Sequence, residues 1–138
     1  MSAQVNRSFS LYWSDAKACG NAIRCAVEEL LTAQRVNKSA GKPKPGKHRQ
    51  MLSLHKRIEL FAKAKPDLGD KLLAIKWIGN AGSHVDPLKK DDLLDAYEIM
   101  AFVLDELYVQ RSVHVGALVR AINRNKGPRK ISPPSARN

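Results

Sequence analysis

Residues Leu72–Pro87 read LLAIKWIGNAGSHVDP, and this stretch decides the fold. At helical spacing, Ala74, Ile78, Ala81 and Val85 form one apolar row, and Leu68, Leu72 and Ile75 form a second. A helix apolar on two sides is buried in a bundle. Lys76, Asn80 and His84 stand four apart and stack in one polar row on the remaining side, with Leu73 and Trp77 flanking it. Gly79 and Gly82 lie beside that row. Mid-helix glycine costs about 1 kcal/mol relative to alanine. Two of them therefore predict close approach of another backbone or of a ligand.

Outward from this element, helical period continues on both sides. The stripe Cys19, Ala22, Ile23, Ala26, Val27, Leu30, Leu31 predicts a helix that starts under a Ser14 cap, with Asp15 in its first turn, and fades near Arg35. A second helix is expected from about Arg49 to Ala64, with Leu52, Ile58, Phe61 and Ala62 inward. Pro66 follows, and Asp67 can cap the helix that runs to about His84, ahead of Pro87. A fourth helix begins near Asp91 and Asp92 and uses Leu93, Leu94, Tyr97, Met100, Ala101, Leu104, Leu107 and Tyr108. Residues 112–125 continue it or form a short fifth helix, which Gly127 and Pro128 stop. No segment sustains strand alternation, although Ser8–Trp13 has an extended reading. The fold class expected is all-α, an antiparallel bundle of four to five helices.

The 138 residues make one domain at ordinary domain sizes. The organisation expected is a flexible arm over 1–9, a helical domain over 10–125 and a disordered basic tail over 126–138. No apolar run reaches the ~18–20 residues of a membrane span, and the first residues lack the apolar core of a secretory signal. A cytoplasmic location is expected. Cys19 and Cys25 are six apart on one helix, so they point to opposite faces and read as free thiols. Two cysteines without a CxxC pair exclude a zinc ribbon, and neither a metal nor a cofactor is implied.

Charge is the strongest bulk signal. Lys and Arg number 24 against 13 acids, a net charge of +11. Between Leu30 and Ile58 there is no acid, while Arg35, Lys38, Lys42, Lys44, Lys47, Arg49, Lys56 and Arg57 are all present. From Leu107 to Asn138 there is again no acid, and Arg120 and Arg124 lie in that stretch with five further cations. These segments read either as solvated loops and tail or as contacts for RNA or another polyanion. His48 and His55 flank the first run, as solvated side chains or phosphate contacts. Trp13 and Trp77 read as core or interface anchors ahead of base-stacking platforms.

The Lys76–Asn80–His84 row admits two readings. Imidazole can act as general acid or base, Asn can orient it or donate to phosphate, and a lysine supplies positive charge to a phosphodiester transition state. The same amide and imidazole can instead hydrogen-bond across the bundle or cap the helix. Ser83 beside His84 points about 100° away on a helix, so the two do not form a nucleophile–base pair. The sequence GNAGSH is not a phosphate-binding loop, for it lacks the Lys-Ser/Thr ending and follows no strand.

The segments IRCAVEELL (23–31), LHKRIELF (54–61), LLAIKWIGNAGSH (72–84) and DLLDAYEIMAFVLDELY (92–108) together resemble a bacterial domain of unknown function found in restriction and phage-defence proteins. That domain is related to the HEPN superfamily (higher eukaryotes and prokaryotes nucleotide-binding). The resemblance covers about residues 10–125. It implies an all-α bundle, commonly a homodimer. Catalytic superfamily members carry an arginine, a polar residue and, a few residues on, a histidine, and two copies meet to cut RNA without metal. Carried over, Asn80 is the polar position and His84 the histidine, while Gly79 occupies the arginine position. Lys76 is a partial substitute, a point charge in place of a planar fork. Arg24 is another if its helix faces this one, with Glu28 four residues on placed to pair with it.

Three functions remain open from the sequence. The first is a non-catalytic HEPN-like binding and dimerisation module associated with RNA, in prokaryotic defence or RNA metabolism. The second is a metal-independent ribonuclease that uses Asn80 and His84. The third is an adaptor or antitoxin-like subunit that binds a partner protein. The dimer is expected to pack partly through the face that carries Trp77.

Overall fold

The computed structural model describes residues 1–41, 49–81 and 88–128. Every regular element among them is helical: α1 (Ser2–Leu11), α2 (Ala16–Ala33), α3 (Leu54–Ala62), α4 (Pro66–Ala81), α5 (Lys90–Leu104), a π-helical segment (Asp105–Val109) and α6 (Arg111–Asn125). Met1–Val103 form one compact unit and the residues from Leu104 onward another.

The expected stripe of α2 is buried in full, from Cys19 through Leu31. It packs against α1, α3 and α4. Leu72 and Ile75 of α4 and Leu93, Ala96 and Val103 of α5 complete the core. The cap of α2 is Asp15 and not Ser14: the Asp15 carboxylate accepts from the Ala18 N–H at 2.8 Å. At the other end Arg35 takes a left-handed conformation (φ 59°), and the Val36 N–H donates back to the Leu31 carbonyl at 2.9 Å, a Schellman stop.

Two expectations give way here. Residues 1–9 are no loose arm, and Ser8–Trp13 are not extended, because Ser2–Leu11 form α1 on the side of α2. Ten residues make a marginal helix alone, so tertiary contacts hold it. Ser8 is fully buried and its hydroxyl donates to the Val5 carbonyl at 2.6 Å. The Tyr97 hydroxyl donates to Ser8 Oγ at 2.9 Å. The N-terminal ammonium pairs with Glu29 of α2.

The helix expected from Arg49 begins only at Leu54, under a Ser53 cap that accepts from the Lys56 N–H. The residues before it are spent otherwise. The Leu52 N–H donates to the Lys38 carbonyl and the Ala40 N–H to the Gln50 carbonyl, which closes an antiparallel bridge between Ser39 and Met51.

The α3–α4 turn is tight, and a Cβ added at Gly69 would stand 2.4 Å from the Ala62 Cβ. Pro66 opens α4, where its missing N–H costs nothing. Of the two apolar rows of α4, only the one with Leu72 and Ile75 is buried, while Ala74, Ile78 and Ala81 are half-buried. Val85 lies outside the described residues. The helix expected to run from Asp91 through Tyr108 changes to π geometry after Leu104. In the second unit, α6 buries no residue. Lys126 ends it in a left-handed conformation, and positions 129–138 of the expected tail lie outside the described residues.

Candidate functional site

The glycine at position 79 has a physical cause. A Cβ there would meet the Gly20 carbonyl oxygen at 3.0 Å and the Arg24 Cβ at 3.1 Å, so α2 and α4 cross at this point with backbone nearly on backbone. The two helices therefore face each other where Arg24 was to substitute for a missing arginine. The guanidinium, however, lies along its own helix. Arg24 Nη1 donates to Glu28 Oε1 at 2.8 Å and Nε to Asn21 Oδ1 at 3.3 Å.

On α4, Lys76 and Asn80 are half-buried. Lys76 Nζ stands 3.5 Å from the Trp77 ring centroid, a cation–π contact. The His55 ring lies 6.1 Å from the same indole, and His55 Nε2 is 3.4 Å from Glu59 Oε1. Arg24 thus stands against α4 at Gly79, whereas the Lys76–Trp77 pair lies toward His55 of α3. His84, Gly82 and Ser83 lie outside the described residues, so no proton-transfer pair is described on this row.

Arg57, expected among the exposed cations, is buried. It is only 5% exposed, and it holds the C-terminal end of α2 in place. Its Nη1 donates to the Glu28 carbonyl at 3.2 Å, and its Nη2 to Thr32 Oγ1 at 3.0 Å and the Val36 carbonyl at 3.4 Å. A planar fork satisfies these diverging acceptors where an ammonium would not. Burial pulls its pKa down and Glu28 opposes the shift. Its Nε is buried without a hydrogen-bond partner.

The other cations divide by place. Arg35, Lys38, Arg49 and Lys56 are exposed in the first unit, as are Lys63 and Lys65. Arg35 and Lys65 flank a recess of about 330 Å³ between the end of α2 and α3. Gln34, Asn37 and Phe61 also line it, and no carboxylate does. A second recess, about 390 Å³, carries Glu28 and Glu29 beside Lys38 and Arg57, so its charge is mixed. Arg120 and Arg124 are exposed on α6 in the second unit. Lys42, Lys44, Lys47 and His48 lie outside the described residues.

Both tryptophans are exposed, 78% for Trp13 and 56% for Trp77, which removes the core reading for each. Each also lies under a lysine: Lys90 Nζ is 4.1 Å from the Trp13 ring centroid. Nothing in the sequence pairs Trp13 with Lys90.

A polar chain that hydropathy does not show ties α1, α2 and α5 together. Cys19 Sγ is 3.3 Å from the Tyr97 hydroxyl, which in turn bonds to Ser8. Burial pushes the Cys19 thiol up, with the Tyr97 hydrogen bond opposing. Burial first, and then the contact with Cys19, pushes Tyr97 to about 12. Both cysteines are free thiols, Cys19 buried and Cys25 partly so. Among the described residues no group of three His, Cys, Asp or Glu could hold a metal ion, and no helix is long and apolar enough to cross a membrane.

Residues 6–125 match the family described as a domain of unknown function (DUF4145). The chain belongs to the DUF4145 family. The match runs from within α1 to the last residue of α6, so it takes in most of the first compact unit and the α6 part of the second. No curated protein and no solved structure gives a significant match to the chain.

Proposed function

We propose that this DUF4145 chain is a HEPN-like helical module that binds RNA and pairs with a second copy, in prokaryotic defence or RNA metabolism, without efficient catalysis. The recess between Arg35 and Lys65 carries this reading. It is polar-rimmed, cationic and free of carboxylates, in a chain of net charge +11. A phosphate there meets two cations while the chain's field raises the local polyanion concentration. Two observations support weak catalysis: Gly79 stands where the superfamily carries its arginine, with a Cβ there crowded against the Gly20 carbonyl and Arg24, and Arg24 itself is paired with Glu28. Pairing is supported by the exposed Trp77 and the half-buried Ala74, Ile78 and Ala81 on α4.

The test is titration of single-stranded RNA against salt, followed by fluorescence anisotropy. On a single strand, affinity falls with a slope of about 0.7 per phosphate contact. Arg35→Ala with Lys65→Ala lowers that slope by about 1.4, two contacts' worth. A wild-type protein that binds no RNA at low salt overturns the reading. Sedimentation of wild type and Trp77→Ala tests the pairing.

One observation favours a second reading, a metal-independent ribonuclease: Arg24 stands directly against Gly79, one residue from Asn80. Labelled RNA is incubated in EDTA with wild type, Arg24→Ala and His84→Ala. Cleavage by wild type that both substitutions abolish establishes the enzyme. No cleavage, or equal cleavage by all three, dismisses it.

A further inference from the structure

The turn between α1 and α2 presents an aromatic surface that the recess above does not use. Trp13 is the most exposed large apolar side chain among the described residues, at 78%. Its ring is nevertheless fixed. It packs edge-on against Tyr12, at 5.1 Å and 89°. Tyr12 lies 6.4 Å from Tyr97, and Phe9, itself exposed, lies 4.8 Å from the same ring. Tyr97 is in turn hydrogen-bonded to the buried Ser8 and in contact with the buried Cys19. The exposed indole is therefore the outer end of a ladder of rings rooted in the core.

Lys90 supplies the charge. Its Nζ lies 4.1 Å from the Trp13 ring centroid and 5.9 Å from that of Tyr12. Lys90 makes no ion pair among the described residues. The neighbouring carboxylates are Asp15, Asp91 and Asp92. Asp15 accepts from the Ala18 N–H and Asp92 from the Lys89 N–H, so both are turned to backbone at helix starts.

We infer that Tyr12, Trp13 and Lys90 form a stacking platform for an unpaired base of a single-stranded polynucleotide. The base lies on the indole face that Lys90 does not cover, and the adjoining phosphate takes the Lys90 ammonium. Every base has a π-face, so such a platform tolerates sequence but demands an unpaired strand. A polyanion is favoured over an apolar protein partner because burying the ring would also desolvate Lys90, and a phosphate compensates that where an apolar face does not. The inference rests on the RNA-binding reading and specifies which form of nucleic acid the chain takes.

The experiment measures the affinity of the full chain for fluorescently labelled oligo-uridine and for a blunt RNA duplex. Trp13→Ala is expected to weaken oligo-uridine binding by about 5- to 150-fold. Trp13→Phe recovers part of the loss, and duplex binding does not change. The salt slope of Trp13→Ala stays that of wild type, while Lys90→Ala lowers it by about 0.7. Photocrosslinking of 5-iodouridine oligonucleotide marks the tryptic peptide Ser8–Lys17. Equal affinity of wild type and Trp13→Ala for oligo-uridine overturns the platform and assigns the exposed ring to a protein contact, with RNA binding elsewhere intact. If wild type binds neither nucleic acid, the RNA-binding reading fails and the platform with it. Because Trp13 is exposed, unchanged thermal melting of the variants separates lost stacking from lost folding.

Discussion

Gly20 of α2 and Gly79 of α4 meet so closely that a Cβ on Gly79 would lie 3.0 Å from the Gly20 carbonyl oxygen. Both obstacles near position 79, that oxygen and the Arg24 Cβ, belong to backbone or its first carbon and cannot swing away. Alanine in a helix is ordinarily favoured over glycine by about 1 kcal/mol. Here the steric cost exceeds that gain, and Gly79→Ala is expected to destabilise by about 1–2 kcal/mol in urea unfolding. A variant as stable as wild type would mean that the helices are free to separate.

Tyr97→Phe removes the hydroxyl that joins Ser8 to Cys19. Ser8 is fully buried, so the expected loss is about 1–2 kcal/mol, read from chemical denaturation at neutral pH. The same phenol gives an alkaline signature. Its folded pKa of about 12 lies above the ordinary value of 10.0, so the folded state holds the proton more tightly. That contribution is complete below pH 10 and disappears as pH rises towards 12, a fall of up to about 2 kcal/mol. Cys19, also raised, adds in the same direction from its ordinary 9.0 upward. Tyr97→Phe is expected to flatten this decline relative to wild type. An unchanged slope would show that the phenol is not the group responsible.

Arg57 and Lys56 are neighbours with opposite assignments. Arg57→Ala removes the donor that the Glu28 and Val36 carbonyls and Thr32 Oγ1 share, although the Thr32 hydroxyl still donates to the Glu28 carbonyl, and about 2–4 kcal/mol of stability is expected to go. Arg57→Lys restores the charge but not the fork and recovers only part. Lys56→Ala, at an exposed position, is expected to change stability by less than about 0.5 kcal/mol. Calorimetric melting of the three variants decides it, and equal melting of Arg57→Ala and Lys56→Ala would remove the structural role.

Asp15→Ala takes away the side chain that accepts from the Ala18 N–H at the start of α2, and about 1 kcal/mol should be lost. Ser14→Ala, one residue earlier, removes only a long 3.4 Å bond to the Leu11 carbonyl and should cost almost nothing. The reverse ranking would place the cap at Ser14.

The part of the fold carried by apolar period was legible. All seven residues of the α2 stripe are buried, and Leu72 and Ile75 of α4 behave as their row required. The part carried by hydrogen bonds was not. α1 hides because its key inward residue is a serine, whose burial depends on a tyrosine far along the chain. The late start of α3 has the same origin, since backbone groups before it bond across to Lys38 and Ala40. At the site, two glycines signalled a close approach, and Gly79 delivers one against Arg24. Arg57 was misplaced because a run of cations reads as surface, while its side chain reaches carbonyls on another helix.

The Ser39–Met51 bridge has a practical corollary. The Ala40–Gln50 and Leu52–Lys38 backbone hydrogen bonds hold the two stretches of chain side by side at that spot. Extra residues inserted in the segment that joins the two paired stretches would load that pairing ahead of the helices, and doubling the length of a flexible connection costs only about 0.6 kcal/mol of closure entropy. This makes the segment the natural place to graft an epitope or a reactive handle for fishing the protein, with its ligands attached, out of cells.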